Sequence, residues 1–370
     1  MRFPSFSLER YLDRYEFSAP YLLCCSDCES LKVGNLLAKE PGAEKAFLEL
    51  NLGYSESSGD PKLRSLVANL YEKASARDIL LFAGAQEGIF SFMQVLLEPG
   101  DEIIVQWPCY QSLFQIAENI GCKVNKWPVY YDKGWHCDFE AVKDMLKGKI
   151  RLVVVNNPHN PTGSLFSESE LRELAALCSR QGTYLFSDEV YRGLEFEGAT
   201  LPAAADIYER GISLGVMSKT YGLAGLRVGW IFASDKNVMR DMQAFKDYTS
   251  ICNSAPSEFL SKVALKHAGD IVDRNMGIIS SNLELLNEFF ARNQDVFEWT
   301  SPQSGPVAFP RLLSGDADLF CREAVNETGV LLLPGSVYSE EYSDCFRIGF
   351  GRSNMPECLN VLETYLEKKQ

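Results

Sequence analysis

The stretch IRLVVVNNPHNPTG, residues 150–163, decides the fold class. Its first half is a run of apolar, mostly β-branched residues that does not alternate with polar ones, as expected for a strand that is buried on both faces. Its second half holds two prolines and a glycine, which are typical of a rigid turn. Such a strand predicts a parallel sheet that is covered by helices.

The same pairing of a short apolar run with a helical pattern recurs on both sides of residues 150–163. The strand-like runs are DILLF (78–82), DEIIVQ (101–106), TYLFSDEV (183–190), ISLGVM (212–217) and LRVGWIFA (226–233). The helical patterns between them are QEGIFSFMQVLL (86–97), YQSLFQIAENIG (110–121) and ESELRELAALCSRQG (168–182). Because strands alternate with helices, the sequence predicts an α/β fold with a mostly parallel sheet and helices on both faces.

After about residue 235 the pattern changes. The segment DIVDRNMGIISSNLELLNEFFARN (270–293) predicts a long helix, and the tail mixes the strand-like runs PVAFPRLL (306–313) and CFRIGFGR (345–352) with the helical run DADLFCREAVNETG (316–329). The length of 370 residues also favours two domains over one. We therefore predict a large domain at residues 46–270 and a smaller α+β domain formed by residues 1–45 and 271–370.

Charge and hydropathy argue against two classes of partner. The formal net charge of −14 disfavours nucleic acid, because proteins that bind phosphate backbones carry a basic surface. No apolar run is long enough to span a membrane. The N-terminal residues MRFPSFSLERYLDRYEF lack the apolar core of a secretory signal, so a cytoplasmic location is predicted.

The chain contains eleven cysteines and three histidines. Cys24, Cys25 and Cys28 form a cluster, but a zinc site needs further ligands at suitable spacing, and no histidine lies at such a spacing from another. The sequence therefore predicts reduced, mostly buried thiols and no metal site.

Polar residues follow the predicted strands, where ligands bind in open α/β sheets. After the first strand, Gly84, Ala85 and Gln86 would open a helix whose free N–H groups suit a phosphate, although a plain turn explains them as well. The G-x-G-x-x-G pattern of a dinucleotide site is absent. After the second strand, Tyr110 offers a flat ring, and a core tyrosine is the simpler alternative.

The next two strand ends carry amide and carboxylate groups. Asn157 and Asn160 lie in the rigid NNPHNPTG loop and could bond a ring oxygen, or they could only form Asx turns. Asp188 directly follows an apolar run, where a carboxylate is costly unless it is paired. It could hold a proton on a heteroaromatic nitrogen, or it could cap a helix. Tyr191 lies three residues further along.

The stretch SKTYGLAGLRVG (218–229) completes the set. Lys219 follows an apolar strand, and a lysine that is removed from water has a lowered pKa and becomes a nucleophile. Arg227 offers a planar fork for a phosphate, and the glycines allow close approach of the backbone. Together the strand ends describe a phosphate, an aromatic nitrogen, a phenolic oxygen and an aldehyde, which are the groups of pyridoxal 5′-phosphate (PLP).

From about residue 45 to the end, the sequence resembles the class I/II aminotransferases, which are fold-type I PLP enzymes. The segments that carry the resemblance are NPHNPTG, SDEVY and SKTYGLAGLRVGW. It implies that Lys219 forms the Schiff base and moves the proton, that Asp188 pairs with the pyridine nitrogen, and that Tyr110 stacks on the ring. The residues implied to bond the ring hydroxyl are Tyr191 and Asn160, and those implied to hold the phosphate are Ala85, Gln86, Ser218 and Arg227.

Two further positions follow from the resemblance. Tyr54, in LNLGYSESSGDPKLRSLVANLY (50–71), matches a tyrosine that reaches the phosphate of the neighbouring subunit, which implies a homodimer with shared sites. Arg347, in FRIGFGR, matches the arginine that binds the substrate α-carboxylate through a bidentate fork. We interpret nearby Arg352 as a surface residue or the start of a helix.

The sequence departs from the family pattern at two places. Val216 stands three positions before Lys219, where the family usually has serine or glycine, so a phosphate donor is expected to be missing. The loop APYLLCCSDCESL (19–31) contains no glycine, so either Ser26 and Asp27 face the substrate or the loop packs elsewhere. This loop is also similar to that of PLP enzymes acting on arginine-like amino acids, such as capreomycidine synthase.

The activity implied by the resemblance is transfer of the amino group of an L-amino acid to a 2-oxo acid. The alternative within the same fold is a lyase, decarboxylase, oxidase or cyclase that acts on an amino acid, with cationic amino acids included. Two other classes remain open, a PLP-fold protein without catalysis and a nicotinamide-dependent oxidoreductase. An intact Lys219 disfavours the first, and the missing glycine pattern disfavours the second.

Overall fold

The computed structural model describes residues 3–369. Within this range the α-helices are α1 (Ser7–Tyr15), α2 (Val33–Leu37), α3 (Ala43–Leu48), α4 (Pro61–Ala68), α5 (Ala85–Leu96), α6 (Ser112–Ile120), α7 (Phe139–Met145), α8 (Glu168–Gln181), α9 (Ala204–Ile207), α10 (Lys236–Lys246), α11 (Ala255–Lys266), α12 (Ala268–Arg292), α13 (Ala317–Thr328) and α14 (Met355–Lys369). None of these helices is both long enough and apolar enough to cross a bilayer.

The strands fall into one large sheet and several small ones. In chain order they are β1 (Tyr21–Leu22), β2 (Ile79–Phe82), β3 (Glu102–Trp107), β4 (Lys123–Tyr130), β5 (His136–Cys137), β6 (Ile150–Asn156), β7 (Tyr184–Asp188), β8 (Gly211–Val216), β9 (Gly229–Ala233), β10 (Phe297–Glu298), β11 (Val307–Ala308), β12 (Arg311–Leu312), β13 (Val330–Leu331), β14 (Leu333–Pro334) and β15 (Phe346–Gly349). The large sheet contains eight strands in the order β2-β9-β8-β7-β6-β3-β4-β5.

The large sheet is mostly parallel, as the sequence predicts. Strands β8, β7, β6, β3 and β4 pair in parallel, whereas β9 is antiparallel to both of its neighbours and β5 is antiparallel to β4. Strand β2 therefore runs in the same direction as β8. The carboxyl ends of β2, β3, β6, β7 and β8 consequently lie along one edge of the sheet, where open α/β sheets bind ligands.

Strand β6 shows why this sheet is covered on both sides. Leu152 and Val154 belong to one apolar cluster, and Val153 and Val155 belong to another. Successive side chains of a strand point to opposite faces, so each face of β6 contributes to a separate core. The run of apolar residues without alternation is explained by this double burial.

The C-terminal part forms short sheets that pack with helices. Strand β15 pairs in an antiparallel manner with β11 and with β14, and β13 pairs with β1 from the N-terminal segment. Residues 33–48, in contrast, contribute to an apolar cluster with α11. The division into domains at residues 46 and 270 stays a prediction.

Several elements differ from the sequence expectations, and three of the differences have a clear local cause. Strand β4 was not predicted, because KVNKWPVY contains two lysines, an asparagine and a proline. The run 226–233 is a strand only from Gly229, because residues 224–226 form a 3-10 turn and Arg227 adopts a left-handed φ of 51°. The run 306–313 is split into β11 and β12, which lie in different sheets, and Pro310 stands between them.

Candidate active site

One cavity of about 350 Å³ lies at the carboxyl edge of the large sheet. All the site residues that the family resemblance implies line it, except Tyr54. They are Ala85, Gln86, Tyr110, Asn160, Asp188, Tyr191, Ser218, Lys219, Arg227 and Arg347. The remaining lining residues are Leu8, Glu9, Leu12, Ser26, Ile89, Asn156, Val190, Val216 and Ala224.

The N-terminus of α5 forms one end of this cavity. Gly84 precedes the helix with a φ of 86°, and no side chain caps the first N–H groups. A Cβ at Gly84 would come within 2.6 Å of Nη2 of Arg227, so only glycine allows the guanidinium to lie against this helix end. An uncapped helix N-terminus beside an arginine is a suitable site for a phosphate.

Lys219 stands in a loop after β8 and lines the middle of the site. Its Nζ donates a hydrogen bond of 2.9 Å to Oγ of Ser26. Burial lowers the pKa of Lys219 from its ordinary value, while the charge of Asp27 acts in the opposite direction. A lowered pKa increases the fraction of neutral amine, which is the nucleophilic form.

Asp188 is the last residue of β7, and only 5% of its surface is exposed. Its Oδ1 accepts one hydrogen bond, of 3.3 Å, from the N–H of Val190. Burial raises the pKa of Asp188 to about 7, against smaller opposing effects from Val190 and Lys219. Because a single hydrogen bond from the protein compensates for its burial, this carboxylate is well placed to accept a hydrogen bond from a cationic N–H group in the cavity.

The raised pKa of Asp188 makes a stability prediction for the cofactor-free protein. Since the pKa in the folded protein, about 7, exceeds the ordinary value of 3.8, the protonated carboxyl contributes stability that is lost progressively as the pH rises from 3.8 to about 7. Replacing Asp188 with asparagine removes this loss. Between pH 5 and pH 7, we expect the free energy of unfolding of the variant to increase by about 2 kcal/mol relative to that of the wild type. Urea unfolding of both proteins without cofactor measures this free energy at each pH. If the difference between variant and wild type is the same at pH 5 and pH 7, the raised pKa of Asp188 is contradicted.

Arg347, on β15, is buried with neutral partners. Its Nε and Nη2 donate to the carbonyl oxygen of Cys24 at 3.1 and 2.8 Å. Its Nη1 donates to Oη of Tyr338 at 2.8 Å and to Oδ1 of Asn160 at 3.2 Å. A guanidinium that is 2% exposed and has no carboxylate partner favours an anionic ligand. Tyr338 was not identified from sequence, because no motif marks it.

The loop of residues 19–31 packs against β15 and the residues that follow it. A Cβ at Gly349 would lie 1.9 Å from the carbonyl oxygen of Cys25, so the close approach depends on a glycine outside the loop. Ser26 lines the cavity, as one of the two alternatives predicted. Asp27 does not line it and accepts two hydrogen bonds from Nη2 of Arg352, at 2.9 and 3.0 Å.

These contacts bear on two residues for which the sequence left alternatives open. Arg352 is not a free surface residue, because it forms an ion pair with Asp27. Asn157 does not line the cavity. Its Oδ1 accepts a hydrogen bond of 2.9 Å from the N–H of Phe166, so its role is structural. Tyr54 lies away from the cavity of its own chain and is 92% exposed.

Helix α1 contributes a wall of the cavity that the sequence did not predict. Leu8, Glu9 and Leu12 line it, and Oη of Tyr110 donates to Oε1 of Glu9 at 2.9 Å. No helix was predicted in this segment, and nothing in the sequence connected residues 8–12 with Tyr110.

Comparisons with known proteins identify the family of this chain. The family model for aminotransferase class I and II matches residues 37–363. Capreomycidine synthase from Streptomyces vinaceus is 29% identical over 350 residues, which are 94% of this chain and 89% of that protein.

Two solved structures have the same fold over their full length. A PLP-dependent aminotransferase from Streptococcus suis 89-1591 has a TM-score of 0.93 and 30% identity, with coverage of 100% of this chain and 99% of that one. The PLP-dependent cyclase OrfR has a TM-score of 0.90 and 26% identity, with the same coverage. The sequence match, the fold-type I architecture and the residues around the cavity lead to one conclusion. This chain belongs to aminotransferase class I and II and is a PLP-dependent enzyme.

Proposed function

We propose that nine of the predicted residues in the cavity, all except Arg347, hold PLP in the roles that the resemblance implies. The N-terminus of α5, Ser218 and Arg227 bind its phosphate. Asp188 keeps the pyridine nitrogen protonated, Tyr110 stacks on the ring, and Tyr191 and Asn160 bond the ring oxygen. The buried carboxylate of Asp188, which faces the same cavity as Lys219, is the observation that carries this assignment.

The reaction we propose is transfer of the amino group of an L-amino acid to a 2-oxo acid. PLP supplies, when bound, an electron sink that stabilises negative charge at the substrate Cα. Lys219 would remove the Cα proton with its neutral Nζ and deliver it to the cofactor, and the second half of the reaction would reverse this transfer. Ser26 orients Nζ through the hydrogen bond of 2.9 Å.

A direct test uses the purified enzyme with PLP and a panel of single amino acids, each mixed with a 2-oxo acid. Mass spectrometry should detect one new 2-oxo acid for each new amino acid formed. Equal amounts of the two products support transamination. Release of ammonia or carbon dioxide, or conversion of the donor into a cyclic product without the acceptor, would contradict it.

That second outcome would favour the alternative, a PLP enzyme that eliminates, decarboxylates, oxidises or cyclises its amino acid. The similarity to capreomycidine synthase and to the cyclase OrfR, at 29% and 26% identity, supports keeping this candidate. Each of these reactions begins by breaking a bond to the same Cα, either to hydrogen or to the carboxylate carbon, so the same residues serve any of them.

Arg347 provides a prediction about the substrate. We propose that it binds the α-carboxylate, since it has only neutral partners in the protein. Replacing it with lysine keeps the charge and loses the bidentate fork, so we expect KM for the amino acid to rise about 100-fold. Steady-state kinetics measure this rise. The variant Arg311→Lys, in which an exposed arginine is changed, should keep the wild-type KM; an unchanged KM in Arg347→Lys would remove the assignment.

We also propose a homodimer in which Tyr54 reaches the phosphate of the neighbouring subunit. Leu48, Leu52 and Tyr54 are 78%, 81% and 92% exposed, and Tyr248 in an adjoining segment is 90% exposed. Such a concentration of exposed apolar side chains is typical of an interface. Sedimentation velocity should detect a dimer at micromolar concentration, and a monomer would contradict the proposal. The cytoplasmic location stays a prediction.

A further inference from the structure

Glu9 is a carboxylate in the cavity that the proposed binding of PLP does not use. It lies on α1 beside Leu8 and Leu12, which also line the cavity. Within residues 3–369 its single hydrogen-bond partner is Oη of Tyr110, at 2.9 Å from Oε1, and no cationic side chain pairs with it. A carboxylate can accept about four hydrogen bonds, so Glu9 keeps most of its capacity for a ligand.

Among the charged residues that line the cavity, one has no role in the proposed function. The cationic residues are Lys219, Arg227 and Arg347, and the anionic residues are Glu9 and Asp188. The proposed function assigns Arg227 to the phosphate and Arg347 to the α-carboxylate. It assigns Asp188 to the pyridine nitrogen and Lys219 to the aldehyde of PLP. No cation remains for a second carboxylate of a substrate, whereas Glu9 remains for a positive charge.

Asp27 cannot take this role in place of Glu9. Its carboxylate is held by two hydrogen bonds from Nη2 of Arg352 and one of 3.2 Å from Nε. A ligand would have to compete with a guanidinium that is already in place. Glu9 is half-buried and has a neutral partner, so a cation that approaches it gains an interaction without breaking an ion pair.

We propose that Glu9 selects amino-acid substrates whose side chain carries a positive charge, as an ammonium or guanidinium group. This inference rests on the proposed function, in which Arg347 holds the other end of the substrate. Leu8 and Leu12 pack against the methylene groups of the side chain, and Glu9 accepts hydrogen bonds from its charged end. Glu9 is therefore a specificity-determining residue, and dicarboxylic amino acids are poor substrates.

Calorimetry with two unreactive analogues tests the proposal. α-Methylornithine and α-methylleucine have no hydrogen on Cα, so neither can give up the proton that the reaction removes, and binding is measured without turnover. We expect the enzyme with PLP to bind α-methylornithine at least about tenfold more tightly than α-methylleucine. Glu9→Gln should weaken the binding of α-methylornithine about tenfold and change the binding of α-methylleucine by less than about twofold. Glu9→Lys should reverse the preference.

A matched control and the opposing outcomes complete the experiment. Asp13→Asn changes an exposed carboxylate on the same helix, which pairs with Arg10, and should leave both affinities unchanged. Equal binding of the two analogues by the wild type, no binding of either, or an equal loss of both in Glu9→Gln would overturn the proposal. Failure to form a 2-oxo acid from any donor would instead reject transamination, and the preference between the analogues would still decide the role of Glu9.

Discussion

Replacing Lys219 with alanine should lower kcat by at least about 10⁴-fold, because the change removes both the nucleophile and the group that moves the proton. No other lysine lines the cavity within the described residues, so none can replace it. Mass-spectrometric assay of the 2-oxo acid measures the loss, and circular dichroism checks that the variant is folded.

Lys219→Arg is the matched variant for this prediction. It keeps a positive charge near the position of Nζ, but an arginine stays protonated at all pH values of interest and cannot accept the proton. We expect it to be as inactive as Lys219→Ala. Both variants should still retain PLP in equilibrium dialysis, since α5 and Arg227 are unchanged. Turnover by either variant within tenfold of the wild type would reject the role of Lys219.

Replacing Asp188 with asparagine should lower kcat by about 10³-fold. The negative charge that stabilises a protonated nitrogen is lost, while the size and burial of the side chain are kept. Steady-state kinetics with the best donor from the amino-acid panel measure the effect. Because Asp188→Asn is predicted to stabilise the cofactor-free protein near neutral pH, the loss of activity cannot be attributed to unfolding.

Glu189 provides the control for Asp188. It is the next residue along the chain, it is also buried, and burial raises its pKa to about 7 as well. Its Oε1, however, accepts hydrogen bonds from the N–H of Ala204 at 2.9 Å and from Oγ of Ser213 at 2.7 Å. Glu189 does not line the cavity. Glu189→Gln should therefore keep kcat within about tenfold of the wild type. An equal loss in both variants would mean that burial of a carboxylate, and not its position at the cofactor, controls activity.

The residues at the ends of the strands were predictable because they follow a rule of chain geometry. Parallel strands place their carboxyl ends at one edge, so Asp188 at the end of β7 and Lys219 after β8 had to be neighbours once the strands were recognised. The strands were recognised because burial on both faces leaves long apolar runs. Strand β4 lacks such a run, and for that reason it escaped prediction.

Contacts between segments that are distant in the chain were not predictable in this way. Asp27 and Arg352 are each ordinary charged residues in the sequence, and their ion pair depends on the close approach of Cys25 to Gly349. Tyr338 meets Arg347 and Asn160 only through the packing of the C-terminal strands on the large sheet.

The sequence by itself determined the α/β class, the family and the identity of the residues at the carboxyl edge of the sheet. These follow from local periodicity and from short motifs, which act over a few residues. The tertiary structure decided that Asp27 is neutralised by Arg352 and that Glu9 of α1 lines the cavity beside Tyr110. Both depend on how the N-terminal segment packs, and a polar side chain on an amphipathic helix does not specify what it faces until the helix is in place.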